Sequence, residues 1–167
     1  QHLLEKYPYS IIFIPTLPHL KKIITEYVSD WNLDVIVTTD DKEIQENYSN
    51  TSYALVCSGT ASLEIAKRNI PQLVIYKLNF FTILIAKLFV KVKFANIINI
   101  IDNQIIIPEI INYNLNERSL LNNFDTLISS KIKNDIQIKE VNRVLKKLLC
   151  DQPPYTLAAN CIKSCLL

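Results

Sequence analysis

A chain of 167 residues with a single glycine has one position where the backbone can turn freely through conformations that a Cβ obstructs, and that position is Gly59. It follows the short apolar run Tyr53-Ala54-Leu55-Val56-Cys57 and opens Ser58-Gly59-Thr60-Ala61-Ser62-Leu63-Glu64. The pattern is that of a buried strand turning sharply into a helix. Without a Cβ, a ligand can approach the backbone closely. The Ser and Thr hydroxyls and the free N–H groups of the new helix then converge on one spot, which favours an anion such as a diphosphate. Glu64 falls one helical turn beyond Thr60 on the same face, where a carboxylate can accept two hydrogen bonds from a ribose diol. The same residues also make an ordinary strand–turn–helix corner, with Ser or Thr as N-cap and Glu64 paired to Lys67 or Arg68 at helical spacing. The seven residues alone leave both readings open.

The rest of the chain supplies a context for that corner. Ser10–Ile14 is a continuous apolar run, the mark of a strand buried on both faces. Pro18 to Trp31 sets Leu20, Ile23, Ile24, Tyr27 and Trp31 on one helical stripe, with Lys21, Lys22 and Glu26 outside it. Leu33–Val37 is a second strand-like run, closed by Thr38-Thr39-Asp40-Asp41, which can cap a short helix over 42–48. A third strand over 53–57, a helix from about Thr60 and a fourth strand over 71–76 follow. Strand and helix alternate with short connections, which predicts a Rossmann-like α/β fold: a parallel sheet flanked by helices. Such sheets bind ligands at the carboxyl ends of their strands, where the Gly59 corner falls.

Composition narrows the function classes. A formal net charge of +2, with no basic cluster interleaved with aromatics, argues against a nucleic-acid partner. His2 and His19 have no Cys or carboxylate at ligand spacing, so no metal site is expected and no cofactor is implied. Cys57, Cys150, Cys161 and Cys165 form no CxxC pair and read as buried, reduced thiols of a cytoplasmic protein. There is no methionine, and Gln1–Tyr7 reads as the tail of a helix already under way, so the chain is expected to be a piece of something longer.

Beyond Leu78 the pattern changes. The stretch from Phe80 to Val90 is apolar on nearly all sides, interrupted by Lys87 and followed by Lys91 and Lys93. It is too short and too interrupted to span a bilayer. It reads either as a helix buried against the sheet or as a surface that dips into a membrane or meets a partner. The Ile-rich stretch 96–107 embeds Asn99 and Asp102 in apolar surroundings, as turn residues or as ligand contacts. Helices are predicted over 117–130 and 136–149. Pro153-Pro154 then precedes a last helix over 157–166.

The order Ser58-Gly-Thr-Ala-Ser-Leu-Glu64, Pro71-Gln-Leu-Val-Ile-Tyr-Lys77, Phe81-Thr82, Ala86-Lys-Leu-Phe-Val-Lys91, Asn99, Pro108-Glu109 and Pro153-Pro-Tyr-Thr-Leu-Ala-Ala159 resembles bacterial lipid-A-disaccharide synthase. The resemblance implies a glycosyltransferase of the two-Rossmann-domain (GT-B) type. That family transfers 2,3-diacylglucosamine from UDP-2,3-diacylglucosamine to 2,3-diacylglucosamine 1-phosphate, forming the β-1,6-linked lipid A disaccharide precursor and UDP. Residues 1–167 would then be a single nucleotide-sugar-binding C-terminal domain, closed by a crossing helix over about 153–166. The N-terminal Rossmann domain would be absent, and with it the acceptor site and general base. By the same resemblance Ser58, Gly59 and Thr60 would hold the diphosphate and Glu64 the ribose. Tyr76, Lys77, Asn99 and Glu109 would lie near the donor sugar or the cleft. The protein would be cytoplasmic and peripherally attached to the inner membrane, with the lysine-flanked segment Phe80–Lys93 contributing.

Two departures from the family's pattern touch the sugar contacts. Ile97-Ile98-Asn99 stands where the family usually reads Leu-Pro-Asn, and Asn112 follows Glu109-Ile-Ile where a Gln is common. Two other readings remain beside this one: another UDP-GlcNAc-using GT-B enzyme, or a non-catalytic fragment serving as a binding module.

Overall fold

A computed structural model of the protein describes residues 6–57, 59–76, 94–111, 116–149 and 153–165. They fall into two compact units, Gln1–Ser52 and Tyr53–Leu167.

The first unit is a βαβα arrangement. Strands β1 (Ile11–Pro15) and β2 (Asp34–Thr38) run parallel, in register from Ile11 opposite Asp34 to Pro15 opposite Thr38. Parallel neighbours need a crossover, and helix α1 (Pro18–Val28) supplies it, with Pro18 at the first turn where its missing N–H costs nothing. Helix α2 (Asp41–Asn50) is capped by Asp40, whose carboxylate accepts from Glu43 N at 2.9 Å. The buried Thr38 hydroxyl donates to the Glu43 carboxylate and accepts from Asp40 N. The Phe13 ring meets Tyr48 edge-on at 5.4 Å.

Two expectations are corrected here. The first strand is half-buried over Ile12–Ile14, with Ile11 exposed, so it is not a strand covered on both faces. The predicted inward stripe of α1 is largely at the surface. Leu20, Ile23, Tyr27 and Trp31 are exposed, Ile24 is half-buried and Val28 is buried. Periodicity says which residues share a face and not how much of that face finds cover.

The second unit holds a parallel sheet in the order β3 (Ala54–Cys57), β4 (Gln72–Tyr76), β5 (Glu109–Ile111). Its helices are α3 (Thr60–Lys67), α4 (Ile97–Asp102), α5 (Glu117–Ser129), α6 (Lys131–Lys147) and α7 (Pro154–Cys165). Alternation along β4 sends Val74 to one face and Leu73 to the other. On the first face Val74, Ala66 of α3, Ile98 of α4 and Val141 and Val144 of α6 form one buried cluster with Ile107. On the second, Leu73 and Ile110 pack with Leu127 of α5. Helices thus cover both faces of a parallel sheet, the α/β arrangement read from the sequence.

Helix α6 begins five residues before the predicted start at Ile136. Its first turn, Lys131–Asn134, is mostly polar and shows no apolar stripe. Asn134 nevertheless turns inward, donating to the Leu127 carbonyl at 2.7 Å. Among the described residues two helix ends take a left-handed residue, and both are asparagine: Asn69 after α3 (φ 57°) and Asn103 after α4 (φ 53°). Cys57 and Cys161 are free thiols, but both are exposed, which corrects the expectation of burial. The predicted apolar segment 80–93 lies outside the described residues. Among those residues no helix is long and apolar enough to cross a membrane.

Candidate functional site

Strand β3 ends at Cys57, and α3 begins three residues later at Thr60. Gly59 makes the turn with φ 133° and ψ −154°, a region essentially reserved for glycine. Asparagine, which fills the left-handed positions at 69 and 103, gains no help here. Built onto Gly59, a Cβ would meet nothing within 4 Å among the described residues, so the obstacle to a side chain is backbone strain and not crowding. The glycine is exposed, and as N-cap it offers no side chain to the first-turn amides of α3. Helices α2, α4 and α5 are instead capped by Asp40, Asn96 and Asn116. Thr60 stands exposed at the first helical position.

Glu64 is exposed on the same helix, and its Oε1 accepts from Arg68 Nη2 at 3.3 Å. That is the i,i+4 pairing anticipated for a plain corner, so a ribose diol would have to compete with Arg68 for this carboxylate. At such exposure the ion pair is weak, so its loss costs little. Tyr76 is half-buried at the carboxyl end of β4, the neighbour of β3. Ser58 and Lys77 lie outside the described residues.

Asn99 and Glu109 are brought together. Asn99 is fully buried in α4 and donates from Nδ2 to Glu109 Oε1 at 2.8 Å and to the Ile107 carbonyl at 2.7 Å. Its Oδ1 accepts from Ile106 N at 2.9 Å and Ile107 N at 3.0 Å. Both donors and both acceptor positions of the amide are therefore occupied. The other carboxylate oxygen of Glu109 accepts from Ala95 N at 2.7 Å and Asn96 N at 3.1 Å. Together these bonds hold the turn into α4 and the loop that leads to β5.

The hydrogen bonds continue through residues that periodicity does not single out. Asn96 caps α4 by accepting from Ile98 N at 2.9 Å, and its Nδ2 donates to Ser62 Oγ at 2.6 Å. Ser62 Oγ donates to Gln72 Oε1 at 2.9 Å, and Gln72 Nε2 returns a bond to the Ser62 carbonyl at 3.0 Å. Gln137 of α6 exchanges two bonds with the Gln72 backbone. The sequence carries one faint signal of this network: Gln72 is a polar residue inside an apolar strand run, a position where burial demands partners.

Asp102, the other polar residue of the Ile-rich stretch, is an ion-pair residue. Its nearly buried carboxylate accepts from Arg143 through both oxygens, from Lys147 Nζ at 2.6 Å and from Gln104. The Arg143 hydrogen bonds, then the Lys147 bond, hold its carboxyl far below the usual carboxylate range, and Arg143 is pushed up in turn. A cavity of about 430 Å³ lies between Leu73, Ile106, Pro108, Leu127, Ile136 and Gln137. It sits by the amino ends of β4 and β5, away from the Gly59 corner, and its buried amides Asn134 and Gln137 already bond backbone groups.

Comparison with known proteins bears on the whole chain. A family model described as lipid-A-disaccharide synthetase matches residues 1–159. The lipid-A-disaccharide synthase of Rickettsia typhi is 31% identical over 155 residues, covering 92% of this chain and 40% of that protein. That of Rickettsia bellii is 33% identical over 138 residues, covering 83% and 35%. That of Rhodospirillum centenum is 26% identical over 161 residues, covering 96% and 40%. The chain thus spans 35–40% of the length of these curated relatives.

Proposed function

This chain belongs to the lipid-A-disaccharide synthetase family, and from that premise we propose that it is the donor-binding part of a glycosyltransferase. The reaction is transfer of 2,3-diacylglucosamine from its UDP derivative to 2,3-diacylglucosamine 1-phosphate, with release of UDP. That both units form one nucleotide-sugar-binding domain is part of the same proposal. So are a partner N-terminal Rossmann domain that brings the acceptor and the base, and peripheral attachment to the inner membrane through residues 80–93.

The observation that carries the reading is the Gly59 corner. It is an exposed turn in a glycine-only conformation at the carboxyl end of a parallel strand, and it opens a helix with no side-chain cap. In this reading Ser58, Gly59 and Thr60 take the diphosphate and Glu64 exchanges Arg68 for the ribose hydroxyls. Tyr76 and Lys77 border the sugar. The first-turn amides and the dipole of α3 oppose the charge that builds on UDP as the sugar–phosphate bond breaks. The acceptor hydroxyl attacks from the opposite face in one displacement and inverts the anomeric carbon.

Titration of UDP into the chain by calorimetry, with Glu64→Ala beside it, tests this. Saturable binding is expected, weakened in the variant by about 1.5–3 kcal/mol for the lost charge-assisted bond. A folded chain that binds no UDP, or a variant that binds equally, contradicts it.

A further inference from the structure

We propose that Asn96 and Ser62 are positioning residues for the α3 corner: their hydrogen bond sets where the first turn of α3 stands against the α4–β5 layer, and so where its amides aim. The inference rests on the nucleotide reading of that corner, and it names residues that touch no ligand. Ser62 is the third residue of α3 and is fully buried. One hydroxyl is held from two sides, accepting from Asn96 Nδ2 at 2.6 Å and donating to Gln72 Oε1 at 2.9 Å. The Ser62 carbonyl accepts from Gln72 Nε2 as well, at 3.0 Å.

Helix α3 needs such a hold. At eight residues it is little more than two turns, too short to keep its own shape without tertiary support. Its apolar contacts, through Leu63 and Ala66, attach it to the sheet but are non-directional. The hydrogen bonds at Ser62 are directional, and they act within the first turn, beside Gly59 and Thr60.

Asn96 can serve as an anchor because it is itself fixed. Its Oδ1 caps α4 at Ile98 N, and its own N–H goes to Glu109 Oε2. Glu109 is fixed in turn by Asn99, whose amide is fully occupied. Asn99 and Glu109 therefore brace the corner through Asn96.

The test uses the 167-residue chain, reading UDP affinity together with hydrogen exchange at the amides of Leu63 and Glu64. Asn96→Ser keeps a hydroxyl that can cap α4 but cannot reach Ser62; Ser62→Ala cuts the same bond from the other side. Asn134→Ala, equally internal and bonded to the Leu127 carbonyl, serves as control. Asn96→Ser and Ser62→Ala are each expected to weaken UDP binding roughly five- to tenfold, the worth of one hydrogen bond, and to speed exchange in the first turn of α3. Asn134→Ala is expected to lower the melting temperature and do neither. The proposal is overturned if exchange and affinity are unchanged in both variants, or if the control shows the same losses. Should the unaltered chain bind no UDP, the nucleotide reading falls, and the exchange comparison alone decides whether Asn96 and Ser62 position the turn.

Discussion

Two helices of the second unit begin in opposite ways. The amino end of α4 is sealed: Asn96 caps it, and the Glu109 carboxylate takes the N–H groups of Ala95 and Asn96. The amino end of α3 is open. It starts at an exposed glycine, with no side chain in the capping position. Every helix start presents N–H groups that want an acceptor. An end that carries its own acceptor is closed to an outside anion, whereas openness alone marks no site. Helices α1 and α6 also start without a side-chain cap bond, and α3 differs from both in its exposed glycine. Asn99 and Glu109 belong to the sealed end, and the open start of α3 is the one to which the proposed reading assigns the diphosphate.

The comparison is broken most severely by unsealing α4. Glu109→Ala leaves the amides of Ala95, Asn96 and Asn99 without their acceptor, each at a cost of about 1–3 kcal/mol unless water reaches it. A large drop in the denaturant midpoint is expected, and a variant as stable as the parent would show that the seal is idle. Gly59→Asn comes next. Asparagine tolerates the left-handed region but not φ 133° with ψ −154°, so strain of about 1–3 kcal/mol is expected. UDP binding should be lost disproportionately. If the variant bound UDP as the parent does, the corner would not be the site.

Asn103 sharpens the same point with a smaller effect. At φ 53° an alanine should cost about 1–2 kcal/mol, while a glycine should be tolerated, as thermal melts of both variants would show. The smallest effect concerns acid. The native pKa of Asp102 lies below its unfolded value of about 3.9, so its contribution is complete above that pH. Below that pH the contribution fades steadily, and it is gone once the pH has passed the lowered native value. Asp102→Asn should therefore narrow its stability gap to the parent in acid, as urea melts at descending pH would reveal. A constant gap would contradict the ion-pair assignment.

The sequence made much of the ladder visible because β1 to β4 are short apolar runs joined by short connections. By contrast, α4 and the three-residue β5 lie in and just after an Ile-rich stretch whose pattern announces neither. Pro18 announced α1, and the Thr38–Asp41 group contained the actual cap, Asp40. Gly59 stood out because nothing else in the chain could replace it. What stayed hidden has physical reasons. The Ser62–Gln72–Asn96 network joins residues ten and thirty-four positions apart, and hydrogen bonds across such separations leave no periodic trace. Polar Lys131–Asn134 masked the start of α6 because its buried member is an asparagine. The exposure of Tyr27 and of Cys57 depends on which neighbours arrive, and local pattern does not encode that.

The contrast between the open and the sealed helix start is most directly measured by amide chemical shifts of the chain as UDP is added. The account predicts saturable shifts at Gly59 to Leu63, with Ile97 to Asn99 moving little. Shifts centred on the α4 start, or none at Gly59 while UDP binds elsewhere, would contradict it.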